Sequence, residues 1–280
     1  MGQGEVPSDH PEKIFRASQE GVRQGSPMNL SLRIRIEKTA TDNGFDLDLP
    51  AEGDWLSFAS SQTPLRIWLT APEDRLLVVA VSQIHVLNAL EDPAPVLGLA
   101  LPEGARGAVG TTAFSQLHLL LRRIFQLSRS LPDTLHVSFQ KKTANLPKTT
   151  EVERLVVQRV GQDLFRAGLM DYWDGRCAIS GLAVPELLRA SHIKPWADCA
   201  TDAERLDVFN GFLLAAHLDA AFDCGFITVG EDGRVIVSEA LDAAARGVLG
   251  LDRGVRMRGS VAGHREYLEW HQKKVYRGAL

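Results

Sequence analysis

No run of apolar residues in this chain approaches the roughly twenty needed to cross a bilayer, which excludes a helical membrane protein. The opening stretch, MGQGEVPSDHPEKIFRASQEGVRQGSP, lacks the apolar core of a secretory signal, so a reducing cytoplasm is the expected compartment. Cysteine is scarce, and in that compartment Cys177, Cys199 and Cys224 are expected to be free thiols. A large positive excess is missing as well. The net charge of −4 argues against a protein that coats nucleic acid without specificity, because such binding draws its affinity from many neutralised phosphates. Internal repeats and low-complexity tracts are absent.

What is present has the composition of a globular protein, with 45% hydrophobic and 24% charged residues, and 280 residues suffice for two domains with separate cores. Residues 1–27 are polar and without periodicity, a flexible leader, and Met28 is an alternative start. A mixed α/β domain is expected over 28–140, with strands at LSLRIRIE, RIWLT (66–70) and LLVVAVS (76–82). A helix follows over 112–131, with Thr112 as N-cap and Pro132 beyond its end. After a strand-like LHVSF, the polar segment around Pro147 makes 141–150 a linker. The second domain, 151–280, opens with a helix from about Thr150 to Tyr172 that places Leu155, Val156, Val160, Leu164, Phe165 and Leu169 toward a core. Its last thirty residues carry seven Lys and Arg against three carboxylates, a basic end that is equally compatible with a solvated surface.

Chemistry concentrates between Cys177 and Val229. Hydrolysis of a phosphodiester requires a base to deprotonate water, a cation to stabilise the developing charge, and a partner that holds the base in one tautomer. His192 lies in LLRASHIKPW, an apolar strand stopped by Pro195. Asn210 opens NGFLLAAH, a second short strand, and His217, Asp219 and Asp223 follow on a short helix, where Asp219 and Asp223 at i, i+4 share a face.

The order His192, Asn210, His217 resembles the HNH endonuclease superfamily. The pieces CAISG, ELLRASHIKPW, NGFLL and HLDAAFDCGFI, with RVGQDLFRAGLMDYWDGRC before them, are similar to its bacterial subfamily of restriction-type endonucleases, over roughly 151–278. The resemblance implies a ββα-metal nuclease domain at the C-terminal end; with the mixed α/β domain before it, which is expected to select the substrate, the chain is expected to be α+β. It implies His192 as general base, Asn210 as the residue that orients the catalytic loop, and a divalent ion held by His217 with Asp219 and Asp223 nearby. Magnesium is the ion implied first, while a His ligand also admits manganese, zinc or nickel. Two departures stand out. Ser191 occupies a position where many such nucleases place an Asp or His ligand, and the paired CxxC motifs of zinc-bearing relatives are missing, so no structural zinc is expected.

Gln162 and Arg166, an i, i+4 pair, either contact DNA phosphates or tie their helix to the core. Lys194 flanks the base as a phosphate contact or an ordinary surface lysine, and Trp196 is expected to pack. His264 and His271 are expected at the surface or in packing. The resulting expectation is a DNase acting in restriction of foreign or modified DNA, as a dimer or by sequential nicks. Its rivals are a non-catalytic DNA-binding protein on the same scaffold and an RNase or toxin nuclease.

Overall fold

The computed structural model describes residues 15–16, 28–73, 75–90, 93–147 and 150–278. Apart from Phe15 and Arg16, the leader expected at 1–27 lies outside the described residues. The chain divides between Phe125 and Gln126 into two compact units built of helices and mainly antiparallel sheets, an α+β organisation. Among the described residues no helix is long and apolar enough to cross a membrane.

In the first unit, β1 (Phe15–Arg16) and α1 (Leu30–Asp42) precede a meander of β2 (Leu47–Glu52), β3 (Trp55–Ala59), β4 (Arg66–Glu73) and β5 (Leu76–Val81). Then come α2 (Ile84–Asn88), β6 (Val96–Leu97), β7 (Gly107–Thr111) and α3 (Phe114–Ser130), which runs across the division. The main sheet has the antiparallel order β2-β3-β4-β5-β7, and β1 pairs in parallel with β6. Every residue of β5 is buried, as expected of a strand covered on both faces. Leu76, Val78 and Ala80 turn to one face and join Trp55, Trp68 and Ala108, a cluster closed by Phe15 and Val96.

Two segments differ from the strands their alternation implied. LSLRIRIE is the first part of α1: Asn29 caps it by accepting the Ser31 N–H at 2.9 Å, and Arg33–Glu37 and Lys38–Asp42 form i, i+4 ion pairs. Only Ile36, Thr39 and Ala40 are buried, a helical spacing, while Leu30 and Ile34 face solvent. LHVSF lies inside α4 (Pro132–Thr143), where Leu135 and Phe139, four apart, supply the buried face. The cap of α3 also shifts: Leu117 N–H bonds Ala113 O, so the cap position is Ala113 rather than Thr112.

The second unit continues with α5 (Glu151–Tyr172), β8 (Leu188–His192), α6 (Asp202–Leu206), β9 (Gly211–Ala215), α7 (Ala216–Asp223), the hairpin β10 (Ile227–Val229) and β11 (Val235–Val237), α8 (Ala243–Leu249) and α9 (Arg265–Lys274). α4 packs on α5 so closely that a Cβ on Gly168 would lie 2.5 Å from Leu135. The division of the chain therefore falls before the polar stretch 141–150. Thr150 and Glu153 form a reciprocal capping box that starts α5. The buried face of α5 begins only at Gly161 and runs through Phe165, Gly168, Leu169 and Tyr172; Leu155 and Val156, expected in the core, are exposed because the first turns extend past the packed elements.

Candidate active site

β8 and β9 form an antiparallel hairpin with His192 opposite Gly211, and α7 follows β9 without a break, so two strands and a helix frame one end of the unit. His192 ends β8, where Pro195 prevents the strand from continuing. Its ring stacks on Phe165 of α5, with centroids 3.8 Å apart and planes within 15°, and meets the edge of Trp196. Nε2 lies 2.9 Å from the carbonyl oxygen of Arg205. A carbonyl only accepts, so Nε2 carries the proton and Nδ1 presents a lone pair. Burial pushes the imidazole pKa below its ordinary value, against the smaller opposing effect of the Arg205 carbonyl. The ring is therefore neutral and basic at neutral pH.

Gly211 is required by close approach. A Cβ there would collide with the Phe165 ring and come within 3.0 Å of Ser191 O, so Gly211→Ala is expected to destabilise the protein by about 1–3 kcal/mol in denaturant titration while displacing the ring that supports His192.

Asn210 is fully buried and closes the loop between the strands. Its Oδ1 accepts the Lys194 N–H at 2.8 Å, and its Nδ2 donates toward Lys194 O, Glu204 O and Cys199 Sγ at 3.1–3.3 Å. Glu204 immediately precedes Arg205, whose carbonyl holds His192. Through the backbone at Glu204, Asn210 thus fixes the acceptor that selects the His192 tautomer.

A cleft of about 490 Å³ is lined by Arg189, Ser191, His192, Asp219, Asp223 and His271, among others. Asp219 and Asp223 share one face of α7. Burial raises the pKa of Asp223 to about 6, the neighbouring charge of Asp219 adds to that rise, and the Ser191 hydroxyl, donating to Asp223 Oδ1 at 3.3 Å, partly offsets it. Two carboxylates held together in this way gain from a shared cation. The structure does not bring His217 to them. It is exposed and absent from the cleft's lining, because two residues along a helix turn a side chain by about 200° from Asp219.

The other expected DNA contacts are distributed differently. Arg166 donates to the carbonyls of Pro185 and Leu188, both at 2.9 Å, tying α5 to the start of β8. Lys194 forms an ion pair with Glu204 at 2.5 Å, whose second oxygen accepts the Ala200 N–H. Gln162 is exposed on α5. Trp196 packs against α5 at Gly161, where a Cβ would collide with its ring.

His271 escaped the sequence reading as a cleft residue. It is buried on α9, stacks on Phe222 with centroids 4.0 Å apart, donates from Nε2 to Phe222 O and accepts from the Thr228 hydroxyl at Nδ1. With both nitrogens engaged, it fixes the backbone beside Asp223. The available signal was its i, i+3 spacing from Leu268 on an amphipathic helix. Ser191 orients Asp223 through its hydroxyl. His264 is fully buried, stacks on Trp173, and donates from Nδ1 to Phe209 O at 2.7 Å; its Nε2 has no partner among the described residues.

Burial lowers the His264 pKa to about 4 from 6.5, so protonation favours the unfolded chain. Its contribution is complete above pH 6.5 and declines as pH falls toward 4, a loss of about 3 kcal/mol from 2.5 pH units. His264→Phe is expected to flatten the dependence of unfolding free energy on pH across that window, measured by urea titration; an unchanged slope would exclude His264 as its source.

Among the described residues no three His, Cys, Asp or Glu side chains are grouped as a metal site. Cys177 Sγ accepts the N–H groups of Ser180 and Ala215, and Cys199 Sγ accepts from Asn210. A cation at α7 would rest on Asp219 and Asp223 with water and substrate oxygens completing its shell, a donor set suited to magnesium, which commonly takes only one or two carboxylates.

Compared with known proteins, residues 177–230 match the HNH endonuclease family, a span that includes β8, the Asn210 loop, β9 and α7. No curated protein matches the chain.

Proposed function

We propose, from the membership of residues 177–230 in the HNH endonuclease superfamily, that this protein is a metal-dependent DNA endonuclease with its active site in the cleft between β8 and α7. The observation that carries the reading is His192, whose Nε2 proton is committed to the Arg205 carbonyl and which is among the residues lining the same cleft as Asp219 and Asp223. His192 Nδ1 takes the proton from the attacking water. Phe165 and the Arg205 carbonyl hold the ring so that its lone pair keeps one direction, and the low pKa keeps that lone pair free at neutral pH. Asp219 and Asp223 hold the divalent ion, magnesium first, which when bound supplies charge stabilisation at the phosphate and leaving oxygen. His217 is not part of this ligand set. A role in restriction of foreign or modified DNA belongs to the proposal through the resemblance of the sequence.

The test is conversion of supercoiled plasmid to nicked and linear forms in magnesium, manganese and EDTA, with modified DNA and single-stranded RNA as parallel substrates. Metal-dependent nicking is the expected result. Cutting of RNA alone would replace DNA as the substrate, and metal-independent DNA binding without cutting would favour a non-catalytic scaffold. In the same assay Asn210→Ala is expected to abolish most activity. It is also expected to destabilise the protein by about 1–3 kcal/mol in denaturant titration, because backbone groups of Lys194 and Glu204 lose their buried partner.

A further inference from the structure

We propose that Arg189 is the side chain that grips the scissile phosphate, an assignment that rests on the nuclease reading and adds to it the residue that recognises the substrate's charge. The two faces of β8 are distinguished by their partners: His192 stacks on Phe165 of α5, whereas Ser191 reaches Asp223 of α7. Side chains alternate along a strand, so Arg189 shares the face of β8 on which Ser191 meets Asp223. It lines the cleft and is exposed.

Its guanidinium is partly anchored. Nη1 donates to the carbonyls of Glu186 and Leu188 at 3.0 and 3.1 Å, while Nε and Nη2 make no hydrogen bond among the described residues. An anchored fork with two free donor groups is suited to the two non-bridging oxygens of a phosphodiester.

The neighbouring cations are committed elsewhere. Arg166 is bound to two carbonyls, Lys194 to Glu204, and Arg205 to Trp196 O, Cys199 O and Asp202. Among the described residues lining the cleft, Arg189 is the one permanent positive charge. A phosphodiester entering beside two carboxylates meets repulsion that a divalent ion on the pair removes. The further negative charge that develops on the phosphoryl oxygens during attack then falls to Arg189.

The experiment compares full-length wild type, Arg189→Ala and Arg189→Lys by two readouts: plasmid nicking in magnesium, and binding of a fluorescent DNA duplex in EDTA across a salt series. Arg189→Ala is expected to lower kcat/KM for nicking on the order of 10²-fold. It should also reduce the slope of log Kd against log salt by about 0.9, the signature of one lost phosphate contact. Arg189→Lys should recover the salt slope, since the charge remains, and not the nicking rate, since the fork is gone. Because Arg189 is exposed, both variants should unfold at the wild-type midpoint. Unchanged nicking, or reduced nicking with an unchanged salt slope, would overturn the assignment while leaving the nuclease standing. A wild type that neither nicks nor binds would overturn both.

Discussion

His192→Ala is expected to lower plasmid nicking on the order of 10²–10⁴-fold, the usual contribution of a positioned base, and to lower the unfolding midpoint as well, so the nicking assay is run below the variant's own transition. The ring is held by a hydrogen bond to Arg205, a stack on Phe165 and the edge of Trp196, so its removal takes away the proposed proton acceptor and part of the packing around it. The pH profile carries the same information. Only the neutral imidazole accepts a proton, and burial holds its pKa below 6.5, so activity at saturating metal should be level at pH 7 and fall only below pH 6.5. A His192→Ala enzyme with wild-type nicking would remove His192 from the mechanism. A variant that is slow yet keeps the wild-type acid limb would assign that limb to another group.

Loss of either carboxylate on α7 should be comparably severe. Asp219→Asn and Asp223→Asn are each expected to lower nicking on the order of 10²-fold or more and to weaken manganese binding in calorimetry, since each leaves a single carboxylate facing the ion. At the proposed metal site, proton and metal would compete for this pair. With Asp223 raised to about 6, chiefly by burial and next by Asp219, apparent metal affinity should weaken as pH falls through 6. Asp219→Asn should move the Asp223 titration partway toward the ordinary carboxylate range, visible by carboxyl carbon NMR. His217→Ala separates this site from the ligand set implied by sequence. Exposed and turned away from Asp219, it should leave manganese affinity unchanged, and a large loss would restore His217 as a ligand.

Much of the second unit is legible in the sequence. Thr150 followed by Glu153 announces the start of α5, Pro195 stops β8, and the apolar run of β9 after a polar loop marks the hairpin's second strand. The i, i+4 spacing of Asp219 and Asp223 gives their common face without tertiary information. The same helical arithmetic separates His217 from Asp219 and could have been applied to the sequence. The first unit was less legible at α1, where L-S-L-R-I-R-I satisfies strand alternation. The Asn29 cap and two i, i+4 ion pairs side with the helix, and its buried residues, Ile36, Thr39 and Ala40, lie mostly beyond the alternating run.

The sequence by itself determined the chemical inventory: a histidine at the end of a short strand, an asparagine before its partner strand, and two carboxylates one helical turn apart. Those are consequences of residue type and local period, which need no distant partner. Only the tertiary structure decided how the inventory is used. The free nitrogen of His192 is set by the Arg205 carbonyl thirteen residues away, next to the Glu204 carbonyl that accepts from Asn210. The loss of Arg166 and Lys194 as free cations depends on which carbonyls and carboxylates the fold brings within about 3 Å of each. Hydrogen bonding acts over that short range, and pairs so far apart in sequence meet at that range only once the chain has folded.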